Sequence, residues 1–311
     1  MPARIHGIHH VTAIGGDPVV NLDFYTRVLS LRLVKRTVNF DDPGTWHLYF
    51  GDRVGSPGTI MTFFPHPLAR DRKPGTSEVA QTAFAVPAGS LAAWRDRLAG
   101  AGVDAQETQI AGQAAIAFAD PHTTRLVLVE GTGPAEAVPR TAGGAPGEMA
   151  IRGFAGVQLA VPDVAATARF LADVFGLPER TSDGPNRGFD AGANQWIEVT
   201  PMAGQRARLG AGAVHHVAFR VPDDDAQLAL RERLIDVGIS VTPVQERMYF
   251  RSIYFREPGG VIFEIATDVP GFAVDETEAE LGQSLKLPPW LERQRAVLER
   301  SLPSLTREAT P

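Results

Sequence analysis

Apolar positions along this chain alternate between two periods. Four times, a run with every second residue apolar passes through a turn containing Gly, Pro or Asp. Each turn leads into a stretch whose apolar residues fall three or four apart. These segments are residues 7–31, 79–103, 153–177 and 214–239. In the first, Leu22, Phe24, Tyr25, Val28 and Leu29 mark the inward face of a helix. Two or three further strand-like runs follow each helix, as at residues 45–50 and 59–64. The pattern predicts an α+β fold built from a βαβββ module repeated four times. One such module cannot close a core alone, so modules should pair with their sheets around a shared cleft.

The repeats set the expected organisation. Residues 1–135 hold two modules (about 5–70 and 77–132), and residues 136–149, rich in Gly, Pro and Ala, form a linker. Residues 150–268 hold two more (about 151–205 and 213–268), and 269–311 form a C-terminal extension. That extension begins with an acidic patch (Asp275, Glu276, Glu278, Glu280). It then predicts a helix over 289–301 that packs through Trp290 and Leu291. Asp41, Asp42, Pro43 and Gly44 read as a turn.

Composition narrows the chemistry. With 30 Lys and Arg against 36 Asp and Glu, the net charge is −6, which lacks the basic footprint of a nucleic-acid binder. There is no cysteine, so disulfides, thiolate nucleophiles and cysteine-held metals are excluded together. No 18-residue apolar run occurs and the N-terminus has no apolar signal core, so a soluble cytoplasmic protein without a membrane partner is expected. Exposed sheet edges are compatible with a homodimer.

Candidate ligands are confined to two of the four modules. Modules 1 and 4 open with His pairs, His9-His10 and His215-His216, where modules 2 and 3 have Ala80-Gln81 and Ala155-Gly156. Module 4 also ends with Glu264, where module 2 has Val127. Strand alternation groups His215 with Val217, Phe219 and Val221, and His9 with Val11 and Ala13, faces suited to packing under a helix. His216 shares its face with Ala218 and Arg220, and His10 shares one with Thr12, as a polar cleft requires. His10, His216 and Glu264 should therefore converge. Two imidazoles and one carboxylate leave part of an octahedral shell open, the arrangement of non-haem Fe(II) oxygenases. Ligand identity leaves Mn(II) as an alternative to Fe(II). His47 and Tyr49 share a strand face that could form a cleft wall. His6, His66 and His122 have no equivalents in a second module and are taken as incidental. Trp94 and Trp196 are read as core, and Glu198 is discounted because no His lies near it.

These residues resemble the vicinal-oxygen-chelate superfamily of glyoxalases, extradiol dioxygenases and fosfomycin-resistance proteins. More narrowly, the chain is similar to ring-cleaving dioxygenases of hydroquinones. That likeness rests on residues 33–52 (LVKRTVNFDDPGTWHLYFGD), 55–64 (GSPGTIMTFF) and 247–264 (RMYFRSIYFREPGGVIFE). It extends to 268–276 (DVPGFAVDE) and 287–292 (LPPWLE). The resemblance implies iron ligands at His10, His216 and Glu264, and supporting roles for His9, His215, Arg247 and Tyr254. It also implies that modules 1 and 4 share the working cleft, and that the substrates are an aromatic diol and O2. Two alternatives stay open: a glyoxalase-type metal-dependent lyase or isomerase, which would want a fourth ligand, and a non-enzymatic binder of small molecules.

Overall fold

The computed structural model describes residues 4–110, 112–135, 137–138, 146–180 and 184–306. Most of the predicted linker, residues 136 and 139–145, lies outside the described residues, as do 1–3 and 307–311. Module 1 comprises β1 (Ile8–Gly15), α1 (Pro18–Asp23), β2 (Arg32–Asn39), β3 (Asp42–Gly51) and β4 (Ile60–Pro65). Asp17 caps α1 by accepting from Val19 and Val20, and a π turn over Phe24–Val28 extends the helix. Module 2 comprises β5 (Glu78–Val86), α2 (Leu91–Gly100), β6 (Ala105–Ile110), β7 (Gln113–Ala119) and β8 (Arg125–Glu130). Module 3 follows with β9 (Phe154–Val161), α3 (Val164–Asp173), β10 (Glu179–Arg180), β11 (Arg187–Gly192) and β12 (Gln195–Pro201). Module 4 has β13 (Val214–Val221), α4 (Asp224–Asp236), β14 (Gln245–Glu246), β15 (Arg251–Arg256) and β16 (Ile262–Thr267).

The modules pair first with last and second with third. One eight-stranded sheet runs β14-β15-β16-β13-β1-β4-β3-β2, and the other runs β10-β11-β12-β9-β5-β8-β7-β6. Each sheet is joined at its centre by an antiparallel pair, β1 with β13 and β5 with β9. The helices interleave where the sheets meet. Phe170 of α3 and Phe175 just beyond it reach Phe255 and Phe219 of the other sheet, at 5.8 and 5.2 Å between ring centroids. Arg97 of α2 donates to the carbonyls of Arg27 and Val28, and Arg233 of α4 donates to that of Val174. Each guanidinium thus meets free carbonyls at the end of a neighbouring helix, where the dipole favours a cation.

Pairing carries one irregularity that alternation does not foresee. In β1, Ile8 lies opposite Phe219 and His10 opposite Ala218, so His9 is an extra residue. In β13, His216 lies opposite Thr12 and Val214 opposite Ala13, so His215 is extra in the same way. Such bulges turn two consecutive side chains toward one face. The second sheet repeats the device, with Ala80 and Ala155 as its extra residues.

The C-terminal extension, expected as an outer helix over 289–301, is mostly irregular. A 3-10 turn at Glu292–Gln294 precedes a short α5, Arg295–Ser301. Leu291 is buried, whereas Trp290 is half exposed and rests edge-on against Phe40 at 5.7 Å. The extension runs along β2, bridging Leu285 to Arg36, and so covers an edge strand. Within the described residues, no helix is long and apolar enough to cross a membrane.

Candidate metal centre

The bulges decide what the His pairs do. With His9 and His215 as extra residues, Ile8, Val11, Val214 and Val217 keep the helix-packed face, and both members of each pair turn toward the cleft. The alternation that placed His9 and His215 under the helices is corrected here, because it assumes an unbroken pleat. His9 instead packs edge-on against His10 and Phe250, both at 5.1 Å. His215 lines the cleft beside Phe64.

His10, His216 and Glu264 meet at the floor of this cleft, all buried. Glu264 Oε2 lies 2.9 Å from His216 Nε2 and 3.3 Å from His10 Nε2, and the two ring nitrogens are 3.4 Å apart. His10 Nδ1 faces His9 Nδ1 at 2.9 Å, and His216 Nδ1 faces His215 Nδ1 at 2.8 Å. Burial and the neighbouring His216 hold His215 down to about 3, and burial and His10 hold His9 well below the usual imidazole range. Both are therefore neutral, and a neutral ring can accept at Nδ1. In the tautomer that metal binding requires, each ligand-candidate ring gives its Nδ1 proton to its neighbour and presents a bare Nε2 to the centre.

Three lone pairs converging without a hydrogen between them would repel. Glu264 Oε2 indeed makes no hydrogen bond among the described residues. A cation resolves this arrangement, and edges of about 3 Å suit atoms sharing one metal at about 2.1 Å. Burial alone would raise the Glu264 carboxyl, and only positive charge, on His10 and His216 or on a bound cation, holds it well below its ordinary range. Its other oxygen, Oε1, accepts from Ser252 Oγ, which fixes the carboxylate rotamer. Nitrogen and oxygen donors with one net negative charge fit a first-row divalent ion.

Above the triad opens a cavity of about 820 Å³. Phe250 forms its floor, with its ring 5.0 Å from that of His10. One wall is a cluster of tilted rings in which His47 lies 4.0 Å from Tyr49 and 4.4 Å from Phe64. The opposite wall carries Tyr254, 5.7 Å from the His216 ring. Arg247 donates from Nε to Tyr254 Oη at 3.2 Å and lies over its ring. The same guanidinium forms a two-pronged pair with Asp41, at 2.8 and 3.2 Å, which spans the mouth from module 4 to module 1. Burial, reinforced by Glu264, raises Tyr254 above the ordinary phenol range, so its hydroxyl stays protonated.

Placement differs from expectation at several residues. Asp41 is in a turn, but the turn is only Phe40 and Asp41, since Asp42 already begins β3. His66, taken as incidental, lines the cavity, whereas His122 packs against Gly16 elsewhere. Sequence reasoning missed Ser252 and Phe250. Ser252 faces Glu264 only through register between β15 and β16, which no local pattern reveals. In the second sheet, Gln81 and Gly156 stand where the first has His10 and His216. Trp196 covers Gly156, leaving 2.3 Å between its ring and any added Cβ. Glu198 there is spent on hydrogen bonds from Gln158 and Asn186.

The family model of the Glyoxalase/Bleomycin resistance protein/Dioxygenase superfamily matches residues 7–128 and 153–265. MhqO of Bacillus subtilis, named as a ring-cleaving dioxygenase, is 44% identical over 306 residues, covering 97% of each chain. The chlorohydroquinone/hydroquinone 1,2-dioxygenase of Sphingobium indicum is 31% identical over 316 residues, again covering 97% of each. A crystal structure from Bacillus subtilis, named as a dioxygenase, superposes with a TM-score of 0.94 at 43% identity, covering 98% of this chain and 99% of that one.

Proposed function

The chain belongs to the glyoxalase/bleomycin resistance protein/dioxygenase superfamily, and on that premise we propose that it is an Fe(II)-dependent ring-cleaving dioxygenase of hydroquinone-like aromatic diols. Dioxygenases of this superfamily are metal-dependent, and the chain brings together a donor set for one ion. The observation that carries the reading is a two-imidazole, one-carboxylate triad with an open side under a cavity walled by aromatic rings. His10, His216 and Glu264 would hold the iron, with Mn(II) the competing ion. When bound, Fe(II) supplies Lewis acidity that favours the phenolate form of a diol, and a redox centre through which O2 gains access to the ring's electrons.

The chain's own groups do the rest. Phe64, His47 and Tyr49 offer flat faces against which an aromatic ring stacks. His9 and His215 hold the ligand rings through their Nδ1 atoms, and His215, at the cavity surface, then carries its hydrogen on Nε2 as a donor. Tyr254 keeps its proton and is held in place by Arg247, so it can donate toward negative charge developing above the triad. The Arg247 guanidinium adds a fixed positive charge on that side.

The test is oxygen uptake by anaerobically Fe(II)-loaded protein given methylhydroquinone, chlorohydroquinone or catechol. Uptake stoichiometric with diol, absent from His216→Ala, is the expected result. An Fe(II)-loaded protein that consumes no O2 with any of the three would overturn the reading and bring glyoxalase-type chemistry forward.

A further inference from the structure

Strand pairing relates the two halves of the cleft by a local two-fold axis, so residues can be compared position by position. His10 lies opposite Ala218 and Thr12 opposite His216, so the relation exchanges His10 with His216 and Thr12 with Ala218. Thr62 pairs with Thr12 as Glu264 pairs with Ala218, which makes Thr62 the mate of Glu264. One strand further out, Tyr49 lies opposite Thr62 and Tyr254 opposite Glu264. Two residues before those tyrosines, His47 hydrogen-bonds Thr62 as Ser252 hydrogen-bonds Glu264. At the two mated positions, one wall carries a carboxylate and the other a hydroxyl.

Thr62 is fully buried and fully committed. Its hydroxyl donates to Thr12 Oγ1 at 3.1 Å and stands 2.7 Å from His47 Nε2. Because the Thr62 hydrogen points to Thr12, His47 must donate from Nε2, and its Nδ1 then accepts from Tyr49 Oη at 2.9 Å. Every hydrogen in this chain has one place. The two-fold relation thus sets opposite Glu264, from module 1, a neutral and locked group with no anionic lone pair to offer. A carboxylate there would complete a symmetric set of two imidazoles and two carboxylates. It would occupy a position the triad leaves open and cancel the remaining charge of a divalent ion.

We infer that Thr62, held by His47 and Tyr49, sets the open side of the metal centre, reserving the position next to module 1 for an oxygen of the aromatic diol. The identity of that oxygen rests on the dioxygenase reading; the open position does not.

Thr62→Glu is the direct test, with Thr62→Gln as a neutral control of similar size and Thr62→Glu/His47→Ala to make room for the carboxylate. Fe(II) affinity is read by anaerobic chelator competition, and methylhydroquinone binding by anaerobic titration of tryptophan fluorescence. With a carboxylate at this position, Fe(II) affinity is expected to rise roughly tenfold or more and diol binding to weaken by a similar factor, since charge count tunes cation affinity. Thr62→Gln should leave Fe(II) affinity within about threefold of wild type on the same argument. Fe(II) affinity at or below wild type in both carboxylate variants, with melting that shows them folded, would overturn the inference. If wild type cleaves no diol yet Thr62→Glu tightens Fe(II), the dioxygenase reading fails and the open position stands. If cleavage is observed but Fe(II) affinity does not rise, the inference alone fails.

Discussion

Replacing Lys35 with Met is expected to destabilise the protein by about 3–5 kcal/mol, the usual loss when one partner of a buried ion pair is removed. Lys35 lies on β2 with no exposed side-chain surface. Its ammonium is 2.5 Å from Asp275 Oδ1, 2.5 Å from Glu276 Oε2 and 3.1 Å from the Phe272 carbonyl, so three hydrogens meet three acceptors. The Tyr249 ring caps it at 4.7 Å. Methionine would fill the space of the stem but strand the Glu276 carboxylate, whose side chain is 1% exposed. Asp275 is less vulnerable, because Tyr249 still donates to it at 3.1 Å. Lys286, 3.9 Å from Glu276, offsets part of the loss and places the expected value toward the lower end. For a chain of this length the corresponding drop in melting temperature is roughly 5–8 °C. Urea unfolding at pH 7 measures the effect, and adding Glu276→Gln to Lys35→Met should recover at least half of it. A loss below about 1 kcal/mol, or a double variant no better than the single, would refute the electrostatic account.

Three further outcomes are expected. His215 titrates near 3 in the folded chain against about 6.5 unfolded, so between those values only the unfolded state binds the proton. Stability is then complete above about pH 6.5 and falls by up to about 1.4 kcal/mol per pH unit as pH drops toward 3. Urea unfolding of metal-free protein from pH 7 to 4.5 should show a shallower dependence in His215→Asn, and identical slopes would contradict the assignment. His9→Ala removes the ring that orients His10 and should weaken Fe(II) binding by about 10–100-fold, read by chelator competition; unchanged affinity would deny His9 that role. Gly156→Ala forces a Cβ to within 2.4 Å of the Trp196 carbonyl and should cost about 1–3 kcal/mol in urea unfolding, whereas a neutral effect would show that the strands can part there.

Much of this molecule is written locally. The four modules follow from periodicity, because each strand and each helix answers to its own run of apolar residues, and His10, His216 and Glu264 stand out because only their modules carry them. What alternation could not provide was the bulge. Counting by twos through His9-His10 sends one ring to the core, and only the pairing of β1 with β13 shows that both face the cleft. The parts of the site set by register were equally hidden. Ser252 reaches Glu264, and Thr62 becomes the mate of Glu264, through alignments between strands that sequence spacing does not encode. The extension was misjudged for a different reason. Its residues 289–291 satisfy helical periodicity, but Leu291 closes a turn onto the Pro288 carbonyl and the helix begins only at Arg295.

The pairing of first module with last gives this chain a nested order of assembly. Thr82 and Val157, at the centre of the second sheet, are roughly 75 residues apart, whereas Val11 and Val217 at the centre of the first are roughly 200 apart, a difference of about 0.9 kcal/mol in loop-closure entropy. Once the inner sheet has formed it draws the outer modules together, so the later closure spans a much shorter effective loop. During synthesis His9 and His10 emerge before His216 and Glu264, and cannot meet them until module 4 has been made. On that arithmetic the sheet without the candidate ligands would form first, and His10, His216 and Glu264 would meet only after it.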